Sequence, residues 1–198
     1  MIDDSKPGKP PDERQFTSEQ YLEKVTIGER KPRNSKIHLE PYNPRWPANF
    51  KLLAERVRQA LGEKILLLEH VGSTSVEGLP AKPIIDMLLL VLDSTDENAY
   101  VPALEQHGFF LRIREPEWYE HRLLKCNDIK ANLHVFSKGC EEVERMLRFR
   151  DWLRSNENDR KLYEQRKREL AARTWRYTQH YADAKSEVIE AILARAHD

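Results

Sequence analysis

A helix is predicted near the start of the recognisable domain by the spacing of its hydrophobic residues. Apolar side chains recur there every three or four residues, at Trp46, Phe50, Leu53, Val57 and Leu61. Residues at this spacing lie on one face of a helix, and a glycine directly after such a run commonly ends it. The pattern therefore predicts a helix from Pro44 to Leu61, ended by Gly62.

Five shorter stretches have the composition of β-strands. They are rich in aliphatic and aromatic residues and are separated by polar connectors, and they cover residues 65–71, 83–92, 109–114, 121–126 and 131–137. The run 83–92 is apolar at almost every position, which is typical of a strand covered on both faces, so we expect it to be central in a sheet. The last three stretches are joined by connectors of hairpin length.

The remaining periodic stretches are helical. They cover residues 96–107, 141–155, 158–173 and 184–196. This order of elements, one helix followed by strands and then by further helices, predicts an α/β (α+β) domain. We expect a mixed sheet of about five strands, with an N-terminal helix and a C-terminal helical layer.

Residues 1–35 differ in composition from the rest of the chain. They are rich in Pro, Lys, Asp and Glu, and such segments bury too little apolar surface to fold alone. We expect a disordered tail there, with one helical turn near residues 18–25, and a folded domain over residues 36–198.

The charge balance narrows the classes of partner. Lys+Arg and Asp+Glu both number 33, so the net charge is zero and no overall field attracts nucleic acid. No apolar run reaches the ~18 residues of a membrane helix, and the N-terminus lacks a signal-peptide core. The two cysteines, Cys126 and Cys140, lack metal-ligand spacing. We expect a cytoplasmic protein without a membrane or nucleic-acid partner, in which any anion site is local.

One carboxylate stands inside an otherwise apolar strand. Asp86 interrupts the run 83–92, and a buried charge is costly unless it is paired or binds a cation. We expect Asp86 to be catalytic, as a general base or as a metal ligand. The alternative is a structural ion pair, for example with Arg122 or Arg148.

The turn before this strand is suited to anions. It is built from Gly72, Ser73, Thr74 and Ser75. Backbone N–H groups and hydroxyls in such a turn can surround a phosphate or carboxylate. The alternative is a tight turn with no ligand.

Further candidates are basic residues and a histidine. We expect the first group to bind the same anion, and it consists of Lys82, Arg122, Arg148 and Lys185. His134 alternates along its strand with Asn132, so it is a candidate acid or base beside Asp86, and a structural histidine is the alternative. His70, at a strand end, is a weaker candidate. The group Arg150, Asp151 and Arg154 has the spacing of a salt-bridged helix face.

These motifs resemble the signature of the nucleotidyltransferase superfamily, and the whole domain is similar to the GrpB family. The similarity covers roughly residues 37–196. The stretches that carry it are Tyr42–Trp46, His70–Asp86, Asn132–Phe136, Leu147–Arg154, Lys167 and Tyr181–Lys185. The resemblance implies a nucleotidyltransferase-like fold, in which the Gly-Ser turn binds nucleotide phosphates and the next strand presents metal-binding carboxylates.

The resemblance implies a protein that acts on or binds a nucleotide or another anionic small molecule, with Mg²⁺ as the metal held by Asp86. Two-metal chemistry needs at least two carboxylates, and the residue that shares a strand face with Asp86 is Leu88. Two alternatives stay open: a small-molecule biosynthetic enzyme using acid–base chemistry in the same cleft, and a catalytically degenerate ligand-binding module. A scaffold with a vestigial cleft is a third.

Overall fold

The computed structural model describes residues 16–196, which form a five-stranded mixed sheet with helices on both faces. The strands are β1 (Leu67–Val71), β2 (Ile85–Val91), β3 (Phe109–Glu115), β4 (His121–Cys126) and β5 (Ala131–Ser137). Their spatial order is β1-β2-β5-β4-β3. Only β2 and β5 run parallel, and the other neighbouring pairs are antiparallel. The predicted fold class is confirmed.

The helices also follow the predicted order. They are α1 (Glu19–Val25), α2 (Arg45–Leu61), α3 (Val101–Glu105), α4 (Glu141–Ser155), α5 (Glu157–Ala171), α6 (Thr178–Asp183) and α7 (Ser186–Arg195). None of these helices is both long and apolar enough to cross a bilayer.

The main hydrophobic core lies on one face of the sheet. Helix α2 packs there through its predicted apolar face, and Leu53 and Val57 are fully buried. Side chains that alternate along β2, among them Met87 and Leu89, form the floor of this core. Strand β2 has neighbours on both sides, which confirms its predicted interior position.

The opposite face of the sheet is only partly covered by helices. Leu88 and Phe136 pack there against Val143 of α4. Asp86 is two residues before Leu88 and therefore lies on the same face, nearer the end of the strand. At this end of the face a cleft forms, and the C-terminal helices make up part of its wall.

Residues 16–35, which we call the N-terminal segment, pack against the domain, in contrast to the predicted tail. Leu22 and Val25 of α1 are buried, and the predicted helical turn is confirmed as α1. The segment is held by backbone hydrogen bonds to Arg112 and Trp175, partners that are distant in sequence. The rest of the predicted tail, residues 1–15, lies outside the described residues.

Two predicted helices differ in length from the observed elements. The predicted helix over 96–107 is a short 3-10 turn at Glu97–Ala99 followed by α3, because Pro102 is accommodated only in the first turn of a helix. The predicted helix over 184–196 is α7, which begins at Ser186, and the separate short helix α6 precedes it. Helix α6 was not predicted because its sequence has no apolar repeat.

Candidate active site

The cleft at the open end of the sheet has a volume of about 480 Å³. Its floor is formed by side chains of β2, β4 and β5, and the turn after β1 closes one side. The N-terminal segment and the region of α6 form the remaining walls. We call this cavity the cleft.

Gly72 and Asp86 lie in unusually close contact at the floor of the cleft. Val71 is directly opposite Asp86 in the antiparallel pairing of β1 and β2, so the chain turns away at Gly72 beside the carboxylate. Gly72 has a φ of +67°, and a Cβ atom there would lie 2.6 Å from Asp86 Oδ2. The turn therefore needs glycine both for its backbone conformation and for the space that Asp86 occupies.

The Asp86 carboxylate is held by polar neighbours. Asn132 Nδ2 donates to Asp86 Oδ1 at 2.8 Å, and His134 Nε2 lies 3.9 Å from the same oxygen. Burial favours the neutral acid, but His134 in its protonated form, the Asn132 amide and the Lys82 ammonium together favour the carboxylate more strongly and lower the pKa of Asp86. Because its side chain is 31% exposed, this carboxylate is within reach of a ligand.

Basic side chains dominate the walls of the cleft. Among the described residues that line it, Asp86 is the single acidic one, against eight basic residues: Arg30, Lys31, Arg33, Lys82, Arg112, Lys125, Lys167 and Lys185. Burial and the nearby Lys185 lower the pKa of Lys82 to about 8. Burial also lowers the pKa of Lys167, whose Nζ donates to the Pro80 carbonyl. The ammonium groups are therefore held close together in a poorly hydrated space.

An aromatic residue lies near two of these lysines. The ring of Tyr181 lies 4.8 Å from Lys185 Nζ and 6.0 Å from Lys82 Nζ. The Tyr181 hydroxyl is buried and has no hydrogen-bond partner within residues 16–196. Buried polar groups are normally paired, so this hydroxyl is an exception beside the cleft.

Three residues of the predicted anion turn line the cleft, and the fourth stabilises the turn itself. Gly72, Ser73 and Thr74 line the cleft. Ser75 instead closes the turn, because its hydroxyl donates to the Gly72 carbonyl at 2.6 Å.

The histidine and the arginines near this turn have structural contacts. His70 Nε2 lies 3.0 Å from Thr74 Oγ1, and burial lowers the pKa of His70 to about 4. Arg154 donates to the Ser75 carbonyl, and Arg150 donates to Glu69 and to the His70 carbonyl. These arginines hold the turn in place and are not among the lining residues.

Arg122 and Arg148, predicted to bind the anion, do not line the cleft. In β4, Leu123 and Lys125 point into the cleft, so Arg122 lies on the opposite face of the sheet. There it pairs with Glu97. Of the predicted basic residues, the structure brings Lys82 and Lys185 into the cleft.

Two residues that were not predicted as site residues form a hydrogen-bonded chain behind His134. His121 Nε2 lies 3.1 Å from His134 Nδ1, and His121 Nδ1 lies 2.8 Å from Glu115 Oε2. His121 is 3% exposed. His121, Leu123 and Lys125 alternate along β4 and therefore lie on the same face of the sheet. This period of two identifies His121 once the face that borders the cleft is known.

The donors around Asp86 do not fit a two-metal site. The adjacent groups are the Asn132 amide and the His134 imidazole, whereas Mg²⁺ prefers several carboxylate or phosphate oxygens. Leu88, at the position where a second acid would be expected, is fully buried in the helical packing. Residues 16–196 contain no group of three or more histidine, cysteine or acidic residues suited to a metal.

Comparisons with known proteins agree on one family. The profile of the family described as GrpB protein matches residues 36–195. A UPF0157 protein of Halalkalibacterium halodurans is 58% identical over 180 residues, which are 91% of this chain and 92% of that relative. A dephospho-CoA kinase of Mycobacterium tuberculosis is 36% identical over 78 residues, which are 37% of this chain and 19% of that protein.

A solved structure has the same fold. The crystal structure of the conserved protein GrpB from Enterococcus faecalis superposes with a TM-score of 0.71 at 30% identity, covering 80% of this chain and 96% of that one. The motifs around the Gly-Ser turn, the matched profile and the shared fold lead to the same conclusion: this chain belongs to the GrpB family.

Proposed function

We propose that the cleft binds a phosphate-bearing small molecule, such as a nucleotide, and that Asp86 and His134 carry out acid–base chemistry on it. The observation that carries this proposal is the charge of the cleft. Of the residues that the structure describes, eight basic ones and one acidic one line it, in a chain with equal numbers of basic and acidic residues. Such segregation favours a ligand with more than one negative charge.

The energetics of the lysines support an anionic ligand. Lys82 and Lys167 have lowered pKa values, because burial and neighbouring cations disfavour their charged forms. An anion placed between them offsets both effects, since it supplies the missing counter-charge. Perturbed groups gathered in one cleft are typical of functional sites.

The size of the cleft favours a small molecule over a polymer. Its volume of about 480 Å³ lies within the range of roughly 300–1,000 Å³ that is typical of small-ligand sites. The partial similarity to a protein named dephospho-CoA kinase makes ATP and dephospho-CoA sensible first probes.

The residues beside Asp86 favour acid–base chemistry over two-metal nucleotidyl transfer. One carboxylate and one imidazole can take up and return a proton, whereas two-metal chemistry needs further acidic ligands. Asp86 and His134 are 3.9 Å apart and both are partly exposed to the cleft. We therefore rank an acid–base enzyme above nucleotidyl transfer, and a catalytically degenerate binding module as the alternative.

Isothermal titration calorimetry with pyrophosphate, ATP and dephospho-CoA tests the binding proposal. We expect saturable binding without Mg²⁺ of at least one probe, and we expect Lys82→Met to weaken it about tenfold or more, because a charge-assisted contact is lost. The matched control is Lys51→Met, an exposed position on α2 outside the cleft. The proposal fails if no probe binds at millimolar concentration, or if both variants bind like the wild type.

A second experiment separates the enzyme from the binding module. The probe that binds is incubated with the wild type and with Asp86→Asn, and its phosphorus NMR spectrum is followed. Conversion that Asp86→Asn abolishes, while the variant still binds, supports the enzyme. Binding without conversion by the wild type supports the degenerate module.

A further inference from the structure

Four side chains form a continuous polar chain from the cleft into the protein. Asp86 faces His134 across 3.9 Å, His134 contacts His121 across 3.1 Å, and His121 contacts Glu115 across 2.8 Å. The proposed acid–base chemistry uses the first two. His121 and Glu115 lie behind them and do not line the cleft.

The contact with Glu115 determines where His121 carries its proton. A carboxylate can only accept a hydrogen bond, and Glu115 Oε2 faces His121 Nδ1 at 2.8 Å. His121 Nδ1 is therefore the protonated nitrogen, since a lone pair in that position would oppose the carboxylate. Burial lowers the pKa of His121 to about 4, so the ring is neutral near pH 7 and its Nε2 carries a lone pair.

The protonation of His121 in turn determines that of His134. His121 Nε2 is then an acceptor, and the atom that faces it at 3.1 Å is His134 Nδ1. A hydrogen bond forms between these atoms only if His134 Nδ1 carries a proton. In a neutral His134 this leaves the lone pair on Nε2, which is the nitrogen on the side of Asp86 and the cleft. Asp86 does not require a proton on Nε2, because its Oδ1 lies 3.9 Å away, beyond hydrogen-bonding distance, and already accepts from Asn132 Nδ2.

We infer that Glu115 and His121 are positioning residues that fix the tautomer of His134, so that Nε2 faces the ligand as a proton acceptor. This inference rests on the proposed function for its chemical purpose. In free histidine the neutral ring prefers the proton on Nε2. Without His121 we therefore expect His134 to carry its proton on Nε2, where it can no longer accept one. A neighbouring group that selects the tautomer is a recurring feature of catalytic histidines.

The proton transfer that this arrangement serves is simple. A ligand O–H bond breaks, its electron pair stays on the oxygen, and the proton bonds to the lone pair of His134 Nε2. The ring becomes an imidazolium with N–H groups at both nitrogens, one toward His121 and one toward Asp86. The Asp86 carboxylate, 3.9 Å away, stabilises this charge, and the proton returns to the product in a later step.

Packing holds the two rings in the required orientation. His121 stacks on His134 and on Phe136, with ring centroids 5.2 Å and 4.8 Å apart, and Trp118 meets its ring edge to face. Glu115 Oε1 also accepts a hydrogen bond from the Tyr21 hydroxyl, which fixes the carboxylate. The aromatic surroundings allow His121→Phe to replace the ring with little change in shape.

Nitrogen-15 NMR of the ligand-free full chain tests the inference directly. Long-range proton–nitrogen spectra at pH 8 distinguish protonated from unprotonated ring nitrogens, and His134→Gln identifies the His134 signals. We expect the wild-type His134 to carry its proton on Nδ1 and not on Nε2. In His121→Phe we expect the Nε2–H form to predominate. His107, whose Nδ1 faces the Ala103 carbonyl, is an internal reference that stays Nδ1–H in both proteins.

The wild-type spectrum alone decides the main point, so the test survives if His121→Phe does not fold. A wild-type His134 with a proton on Nε2, whether alone or together with Nδ1, overturns the inference. An unchanged tautomer in a folded His121→Phe variant overturns the role of His121. Because no ligand is present, these outcomes are independent of whether the cleft binds phosphate compounds.

Discussion

Gly72 is fixed in its turn by two separable effects, its backbone conformation and its contact with Asp86. The positive φ of +67° is unfavourable for any residue with a Cβ atom, and that atom would also lie 2.6 Å from Asp86 Oδ2. Gly78 has a similar φ of +77°, but a Cβ atom there meets no other atom within 4 Å. The two glycines therefore form a matched pair in which only one contacts the carboxylate.

Alanine substitutions at these glycines separate the two effects. We expect Gly78→Ala to lower the free energy of unfolding by about 1 kcal/mol, from the positive φ alone. We expect Gly72→Ala to lower it by about 1–3 kcal/mol more, because Asp86 must move. Urea unfolding of both variants measures the difference, and equal losses would show that Asp86 adjusts without cost.

At the residue scale, the motif before and within β2 was sufficient to select most of the candidate groups. Asp86 was predictable because a charge within an apolar run is costly unless it has a role, and Gly72 was predictable from the residues of its turn. Arg122 was misplaced because both faces of β4 carry polar as well as apolar residues. Period-two alternation separates Arg122 from Lys125, but the sequence does not reveal which of the two faces borders the cleft.

At the element scale, the sheet and the long helices follow from local patterns, whereas the N-terminal segment does not. Strands β4 and β5 have the predicted bounds because a four-residue hairpin joins them and polar turn residues follow β5. The N-terminal segment is held by Arg112, which donates to the carbonyls of Ile27 and Glu29. Such contacts join positions about 85 residues apart, and no local pattern encodes them.

The N-terminal segment contributes positive charge to the cleft from outside the matched family region. Arg30, Lys31 and Arg33 line the cleft, whereas the family profile begins at residue 36. Arg33 is exposed and is close enough to Lys82 to lower the pKa of that lysine. Its charge therefore acts on the same space that the proposed phosphate ligand would occupy.

Removing one charge from the N-terminal segment tests its contribution. We expect Arg33→Gln to weaken binding of pyrophosphate about threefold to tenfold, and to change the free energy of unfolding by less than about 0.5 kcal/mol, because the side chain is exposed. Arg58→Gln, at an exposed position of α2 outside the cleft, is the control. Equal affinities of the two variants in calorimetry would exclude a role of Arg33 in binding.

At the scale of the whole molecule, a net charge of zero conceals an uneven distribution. The outer surface carries paired charges, such as Arg56 with Asp128 and Lys161 with Glu157. The cleft holds an excess of cations, and its lysines have lowered pKa values. Buried cations without a counter-ion oppose folding. We therefore expect the ligand-free protein to be less stable than a variant that lacks one of these charges, which is a common consequence of a preformed binding site.

The pH dependence of stability in Lys82→Met tests whether the Lys82 charge destabilises the ligand-free protein. Lys82 has a pKa of about 8 in the folded protein, against the ordinary value of 10.5. Between these values the unfolded chain holds a proton that the folded protein has released, so Lys82 makes stability rise with pH from 8 to 10.5. Below pH 8 both states are protonated, and the destabilisation is present in full.

We therefore expect Lys82→Met to be more stable than the wild type by about 1 kcal/mol or more at pH 7, with the advantage shrinking as the pH approaches 10.5. Urea unfolding at pH 7, 8, 9 and 10 measures it, with Lys51→Met as the control for an exposed lysine. Wild-type affinity for pyrophosphate falls over the same interval, since the Lys82 ammonium is lost. If the wild type and Lys82→Met have parallel stability profiles, the Lys82 charge does not oppose folding, and the excess of cations in the cleft is stabilised by the protein itself.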